Sequence, residues 1–115
     1  MLLNLSNHPI SSWKENQKKT GIEKYQSIED LAFPQIDPYA DEDDIEKLVD
    51  EFEFKIRKIN PTAVHIMGEM TFSYRLINRL KKIGIPCLAS TTKRVVWEED
   101  GVKKSKFEFV NFRNY

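Results

Sequence analysis

The chain reads as an α/β protein: a three-layer, Rossmann-like, doubly wound sheet of four mainly parallel strands, followed by a C-terminal antiparallel hairpin. Three observations predict this. Short apolar runs alternate with stretches of helical periodicity from the first residue to Ala89. The run Thr62 to Met67 is almost wholly apolar, and a strand apolar on both faces suits a parallel sheet covered by helices. From Val95 the pattern changes to that of a hairpin, with a turn signal at Asp100-Gly101. A length of 115 residues fits a single domain, 1–115, with enough apolar surface to fold alone.

Met1 to Ser6 opens as the first strand, and Ser6-Asn7-His8-Pro9 is its exit loop. Ser12 followed three residues later by Glu15 has the spacing of a capping box, which predicts a helix from near Trp13 to near Gly21. Ser27 to Phe33 reads as a short edge strand, cut off by Pro34 and Pro38. Asp41-Glu42-Asp43-Asp44 starts the clearest helix, in which Ile45, Leu48, Val49, Phe52, Ile56 and Ile59 recur at helical spacing until Pro61. Thr62 to Met67 follows as the central strand. Gly68-Glu69-Met70-Thr71 leads into another amphipathic helix, with Phe72, Leu76, Ile77, Leu80 and Ile83 inward and Gly84 as its stop. Ile85 to Ala89 is the fourth strand, expected to empty into a loop, Ser90-Thr91-Thr92-Lys93-Arg94. Val95-Val96-Trp97 and Lys106 to Phe112 are the arms of the closing hairpin.

Composition narrows the function. Lys and Arg number 18 against 18 Asp and Glu, which argues against a general binder of long nucleic acid or of a membrane surface, since both rely on a basic excess. Apolar runs are too short to span a bilayer, and the opening residues have no basic leader, so a cytoplasmic protein is expected. The one cysteine, Cys87, lies inside an apolar run and reads as a buried thiol. With no G-x-G-x-x-G, no G-x-x-x-x-G-K and no zinc spacing, neither a cofactor nor a metal is expected.

Ligands of doubly wound sheets bind outside the carboxyl ends of the parallel strands. Three segments leave those ends: Ser6-Asn7-His8, Gly68-Glu69-Met70-Thr71 and Ser90-Thr91-Thr92-Lys93-Arg94. If their strands are neighbours, hydroxyls, an amide, an imidazole, two cations and a helix N-terminus converge into an anion site. His65, mid-strand among apolar residues, reads as a hydrogen-bonded core histidine. The acids Asp41 to Asp44 read as a helix start rather than a metal cluster. Arg75, Arg79 and Lys82 form a cationic stripe that reads as a solvated helix face, with a partner-docking role as the rival.

Three stretches carry a resemblance to a known group: Leu3-Asn4-Leu5-Ser6-Asn7-His8-Pro9; Met67-Gly68-Glu69-Met70-Thr71; and the tail. In the tail, Ala89 to Val96 holds Thr-Thr-Lys-Arg, Glu98-Glu99-Asp100-Gly101 is an acidic turn, and Phe109 to Tyr115 is an aromatic ending. Together they resemble the small CRISPR-associated proteins related to CARF domains, the group that includes ring nucleases acting on cyclic oligoadenylate second messengers. The resemblance implies a homodimer that binds a cyclic oligoadenylate and cleaves it without metal, ending type III CRISPR signalling. The resemblance would line the pocket with these segments, and on the working reading Lys93, Arg94 and His8 serve catalysis, with Glu69 as the alternative to His8 in proton transfer, while Ser6, Asn7, Gly68, Glu69, Thr71, Ser90, Thr91 and Thr92 bind the ligand. A sensor or sink that binds the ring without turnover is the alternative.

Overall fold

The computed structural model describes residues 1–115. It contains strand β1 (Leu2–Ser6), a 3-10 turn (Ile10–Ser12), helix α1 (Glu15–Tyr25), edge strand β2 (Ile28–Asp30), helix α2 (Glu42–Ile59), strand β3 (Ala63–Met67), helix α3 (Met70–Lys82), and the long strands β4 (Cys87–Glu99) and β5 (Val102–Asn114). The sheet order is β2-β1-β3-β4-β5, with all pairs parallel except β4 with β5.

Alternation along β1 and β3 sends side chains into two cores. On one face Leu3, Leu5, Val64 and Ile66 pack against Ile45, Val49, Phe52 and Ile56 of α2 and Phe72, Leu76 and Leu80 of α3. On the other, Leu2, Ala63, Leu88, Phe109 and Phe112 pack around Trp13, with Tyr25 and Ile28 at the margin. Helices on both faces make three layers, as expected for strands apolar on both sides.

Helix α1 departs from the sequence expectation. It begins at Glu15 and runs on to Tyr25, and Ser12 does not cap it: the Ser12 hydroxyl donates to Pro9 O at 2.8 Å within the 3-10 turn. Gly21 is interior rather than a stop, because α1 lies so close to β2 that a Cβ there would meet Ile28 Cδ1 at 2.6 Å. Helix α2 starts as expected, and the acids Asp41 and Asp44 cap each other's backbone N–H groups at 2.9 and 3.1 Å.

The second departure decides the shape. The expected loop Ser90 to Arg94 is not a loop: the fourth strand and the first hairpin arm are one continuous strand. Its pairing with β5 runs unbroken in direction from Leu88 opposite Asn114 to Glu99 opposite Val102, with a bulge between Thr91 and Thr92. The β-branched Thr91, Thr92, Val95 and Val96 favour this extended backbone, and β5 satisfies its hydrogen bonds. At about 3.3 Å per residue the hairpin projects well beyond the five-residue β1 and β3. Asp100 (φ 53°) and Gly101 (φ 75°) form the two-residue turn with both φ positive that the sequence predicts.

The cationic stripe on α3 has an internal partner. Arg75 meets Glu46 at 2.7 Å, while Arg79 meets Glu46 at 2.7 Å and Asp50 at 2.6 Å, so these two arginines clamp α3 to α2, and Lys82 alone of the stripe stays exposed without an ion pair. Both guanidiniums hold the Glu46 carboxyl below its ordinary range. Since the groups are partly solvated, Arg79→Ala is expected to lower stability by about 1 kcal/mol in urea denaturation at low salt. The difference should shrink in 1 M salt, where the Debye length falls to about 3 Å.

Candidate functional site at the carboxyl ends of the parallel strands

Strand β1 lies between β2 and β3, so the sheet order reverses beside it. A crevice opens at such a point, outside the carboxyl ends of the strands. Met67, the last residue of β3, joins the three segments that leave there. Its carbonyl accepts from Asn7 N at 3.0 Å, and its sulfur accepts from Ser90 N at 3.3 Å. Residues separated by more than sixty positions in sequence are thus brought to one sheet edge, with Asn7 and His8 exposed on it.

The sequence-predicted residues divide into several groups. Ser6 is buried and turned inward, its hydroxyl 2.8 Å from Asn4 Oδ1 and 3.1 Å from His8 O. Gly68 is covered by Phe33, whose ring would lie 2.3 Å from an added Cβ, so its lack of a side chain serves packing. Glu69 caps α3: its carboxylate accepts from Thr71 N at 3.0 Å, Phe72 N at 2.8 Å and the Thr71 hydroxyl at 2.6 Å. Burial pushes that carboxyl up, but the hydrogen bonds from Thr71 and Phe72 outweigh it and leave it below the ordinary value. The N-terminus of α3 therefore already holds an anion, its own Glu69. Thr91 faces β5, its hydroxyl and Asn111 N at 3.1 Å. Lys93 and Arg94 are successive strand residues on opposite faces of the hairpin, paired across it with Glu108 and Phe107. From one face only one of these two cations can address the crevice.

A polar row, buried at Asn4 and His65, half-buried at Ser90 and Gln17 and exposed at Asp30, underlies the crevice. The Asp30 carboxylate and the His8 carbonyl only accept, so the Asn4 amide nitrogen must face them, at 2.9 and 2.8 Å. Asn4 Oδ1 is then the acceptor for His65 Nδ1 at 2.9 Å, which places the imidazole proton on Nδ1. Nε2 is left with a lone pair, and Ser90 Oγ donates to it at 2.7 Å while accepting from Gln17 Nε2 at 3.1 Å. The row crosses β2, β1, β3 and β4 and ends on α1, and one carboxylate dictates its donor direction throughout. Burial, with His8 nearby, pushes the His65 imidazole down to about 4, so it stays neutral near pH 7. Trp13 and Phe112 meet its ring edge-on at 5.4 and 5.6 Å. Asn4, Asp30, His65 and Gln17 were not among the predicted site residues. Asn4 and His65 could have been paired from their central positions in two apolar strands, but Gln17 carries no such signal.

On the other side of Met67 lies a cavity of about 580 Å³ between α3 and Tyr115, at the end of β5. Met67, Met70, Tyr74, Ile77 and Tyr115 wall it, and Lys81 stands at it. None of these was predicted as a site residue.

Among known protein families, a family model described as "Uncharacterized protein MJ1673 family" matches residues 1–113. No curated protein matches the chain.

Proposed function

We propose that this chain, which belongs to the MJ1673 family, binds a cyclic oligoadenylate second messenger in the crevice at the ends of β1, β3 and β4. The observation that carries the reading is the junction at Met67, which gathers Asn7 and Ser90 at one sheet edge beside an apolar cavity. Polar groups at the strand ends adjoining an apolar slot suit a ligand with both phosphates and flat bases. Two copies facing each other would enclose a ring that one open crevice cannot, and a two-fold ligand suits an isologous pair.

Cleavage needs no metal in this reading. The segments at the strand ends hold one ribose so that its 2′-oxygen attacks the adjacent phosphorus in line, which is catalysis by positioning. The bond from phosphorus to the 5′-oxygen breaks, leaving a 2′,3′-cyclic phosphate and a 5′-hydroxyl that takes up a proton. Lys93 stabilises charge on the phosphate oxygens, and His8 takes the 2′-hydroxyl proton and returns a proton to the leaving 5′-oxygen. Arg94, on the opposite hairpin face, is the alternative to Lys93 at the same phosphate.

One observation favours a second reading, a sink that binds without turnover: Glu69 and Thr71 are engaged with each other in the helix cap. Incubation of purified protein with cyclic tetra-adenylate, followed by separation of products, tests both. Cleavage is expected, with loss of turnover but not of fold in Lys93→Ala. Bound but intact ring after prolonged incubation with excess protein would leave only the sink, and absence of binding would remove both readings.

A further inference from the structure

We infer that the cavity between α3 and Tyr115 is a subsite for an adenine nucleotide, with the base in the cavity and the phosphate at Lys81. The inference deepens the cyclic oligoadenylate reading and rests on it in one respect: Met67 and Gly68 belong to both the crevice and the cavity wall.

Ser73 stands out beside the cavity. It is 7% exposed, it lines the cavity, and its Oγ has no hydrogen-bond partner. Every other buried side-chain nitrogen or oxygen in the protein is paired. An unpaired buried hydroxyl is destabilising, and alanine fits a helix better, so packing alone does not account for a serine here.

The rest of the lining names the ligand class. Thioether and aromatic walls from Met67, Met70, Tyr74 and Tyr115 are polarisable surfaces on which a flat heterocycle packs well. Met70 is 82% exposed and Tyr74 70%, a degree of exposure at a cavity mouth that marks a binding surface. Asn78 lies on the lining with an exposed side chain, and its amide offers one donor face and one acceptor face. The adenine edge presents the complement, an amino donor beside a ring-nitrogen acceptor. Lys81 Nζ donates to Tyr115 O at 3.1 Å and keeps two protons for an anion. The far wall is held before any ligand arrives: Tyr115 Oη donates to Ile66 O at 2.6 Å and Tyr115 N to Cys87 O at 3.0 Å. A preformed wall lowers the ordering cost of binding.

Titration of isotope-labelled protein with adenosine monophosphate, and separately with cyclic tetra-adenylate, tests the subsite by NMR shifts and calorimetry. Adenosine monophosphate is expected to shift the methyls of Met67 and Met70 and the ring of Tyr74. Asn78→Ala and Met70→Glu, both at exposed positions, should weaken it at least tenfold without lowering the thermal midpoint. Ser73→Ala, which removes the unpaired hydroxyl, should raise that midpoint. Shifts elsewhere, no binding, or unchanged affinity in Asn78→Ala and Met70→Glu would overturn the subsite, as would concentration-dependent shifts at Met70 and Tyr74 showing that a second copy covers it. If adenosine monophosphate enters the cavity and the cyclic ring does not bind, the subsite stands and the ring reading fails. If the ring binds equally well to both exposed variants, the subsite fails and the ring reading stands.

Discussion

Asn4→Leu is expected to destabilise the protein by about 2 kcal/mol, equivalent to a fall of roughly 8 °C or more in the thermal midpoint. Asn4 is 1% exposed and sits at the branch point of the polar row, donating to Asp30 and His8 and lying within hydrogen-bonding distance of His65 and Ser6 through Oδ1. Leucine has a similar volume, so cavity formation contributes little. What it leaves is an imidazole N–H with no acceptor, since the Ser6 hydroxyl keeps His8 O at 3.1 Å, and a buried orphan costs about 1–3 kcal/mol, partly offset by the added apolar surface. Urea denaturation at pH 7 measures the difference. The double variant with His65→Leu should lose less than the sum of the two single changes, because removing both partners leaves no orphan between them. A loss below about 0.5 kcal/mol in Asn4→Leu would show that the row is not a cooperative unit.

Acid should act on the same row. The folded His65 imidazole lies at about 4, below the ordinary 6.5, because burial disfavours the charged ring and His8 adds repulsion. The unfolded chain therefore binds this proton more readily than the folded one. The contribution is fully present above pH 6.5 and is lost as pH falls towards 4, and the separation corresponds to roughly 3 kcal/mol. The structure supplies the local reason: a second ring proton would point from Nε2 at Ser90 Oγ, which already receives a hydrogen bond from Gln17. Unfolding free energy measured from pH 7 to pH 4 should fall in the wild type. In His65→Gln that segment of the curve should be markedly flatter, because the side chain no longer titrates, and an equal slope in the two proteins would refute the assignment.

Much of the architecture was legible because it depends on local patterns. Ile45, Val49, Phe52 and Ile56 at helical spacing place α2, Thr62 to Met67 reads as the buried central strand, and Asp100-Gly101 identifies its own turn. Helix α1 was misplaced because Ser12 and Glu15 have capping spacing, yet Trp13 is drawn into the core and the helix starts only after it. The extent of β4 was missed for a similar reason. A Ser-Thr-Thr-Lys-Arg run suits a loop or a strand, and the choice is made by β5, whose partner residues lie up to twenty-six positions further along the chain.

By itself the sequence determined the fold class, the order of most elements, and the candidacy of the segments after β1, β3 and β4, since each follows from periodicity or turn chemistry within a short window. Only the tertiary structure decided which of those residues keep their polar groups available. Glu69 turns to its own helix, Ser6 turns inward, and Lys93 and Arg94 part to opposite faces. It also decided that Asn4, His65 and Ser90 meet, and that Ser73 is left without a partner beside an apolar hollow. A hydrogen bond is made between positions in space, and strand pairing is what brings such positions together.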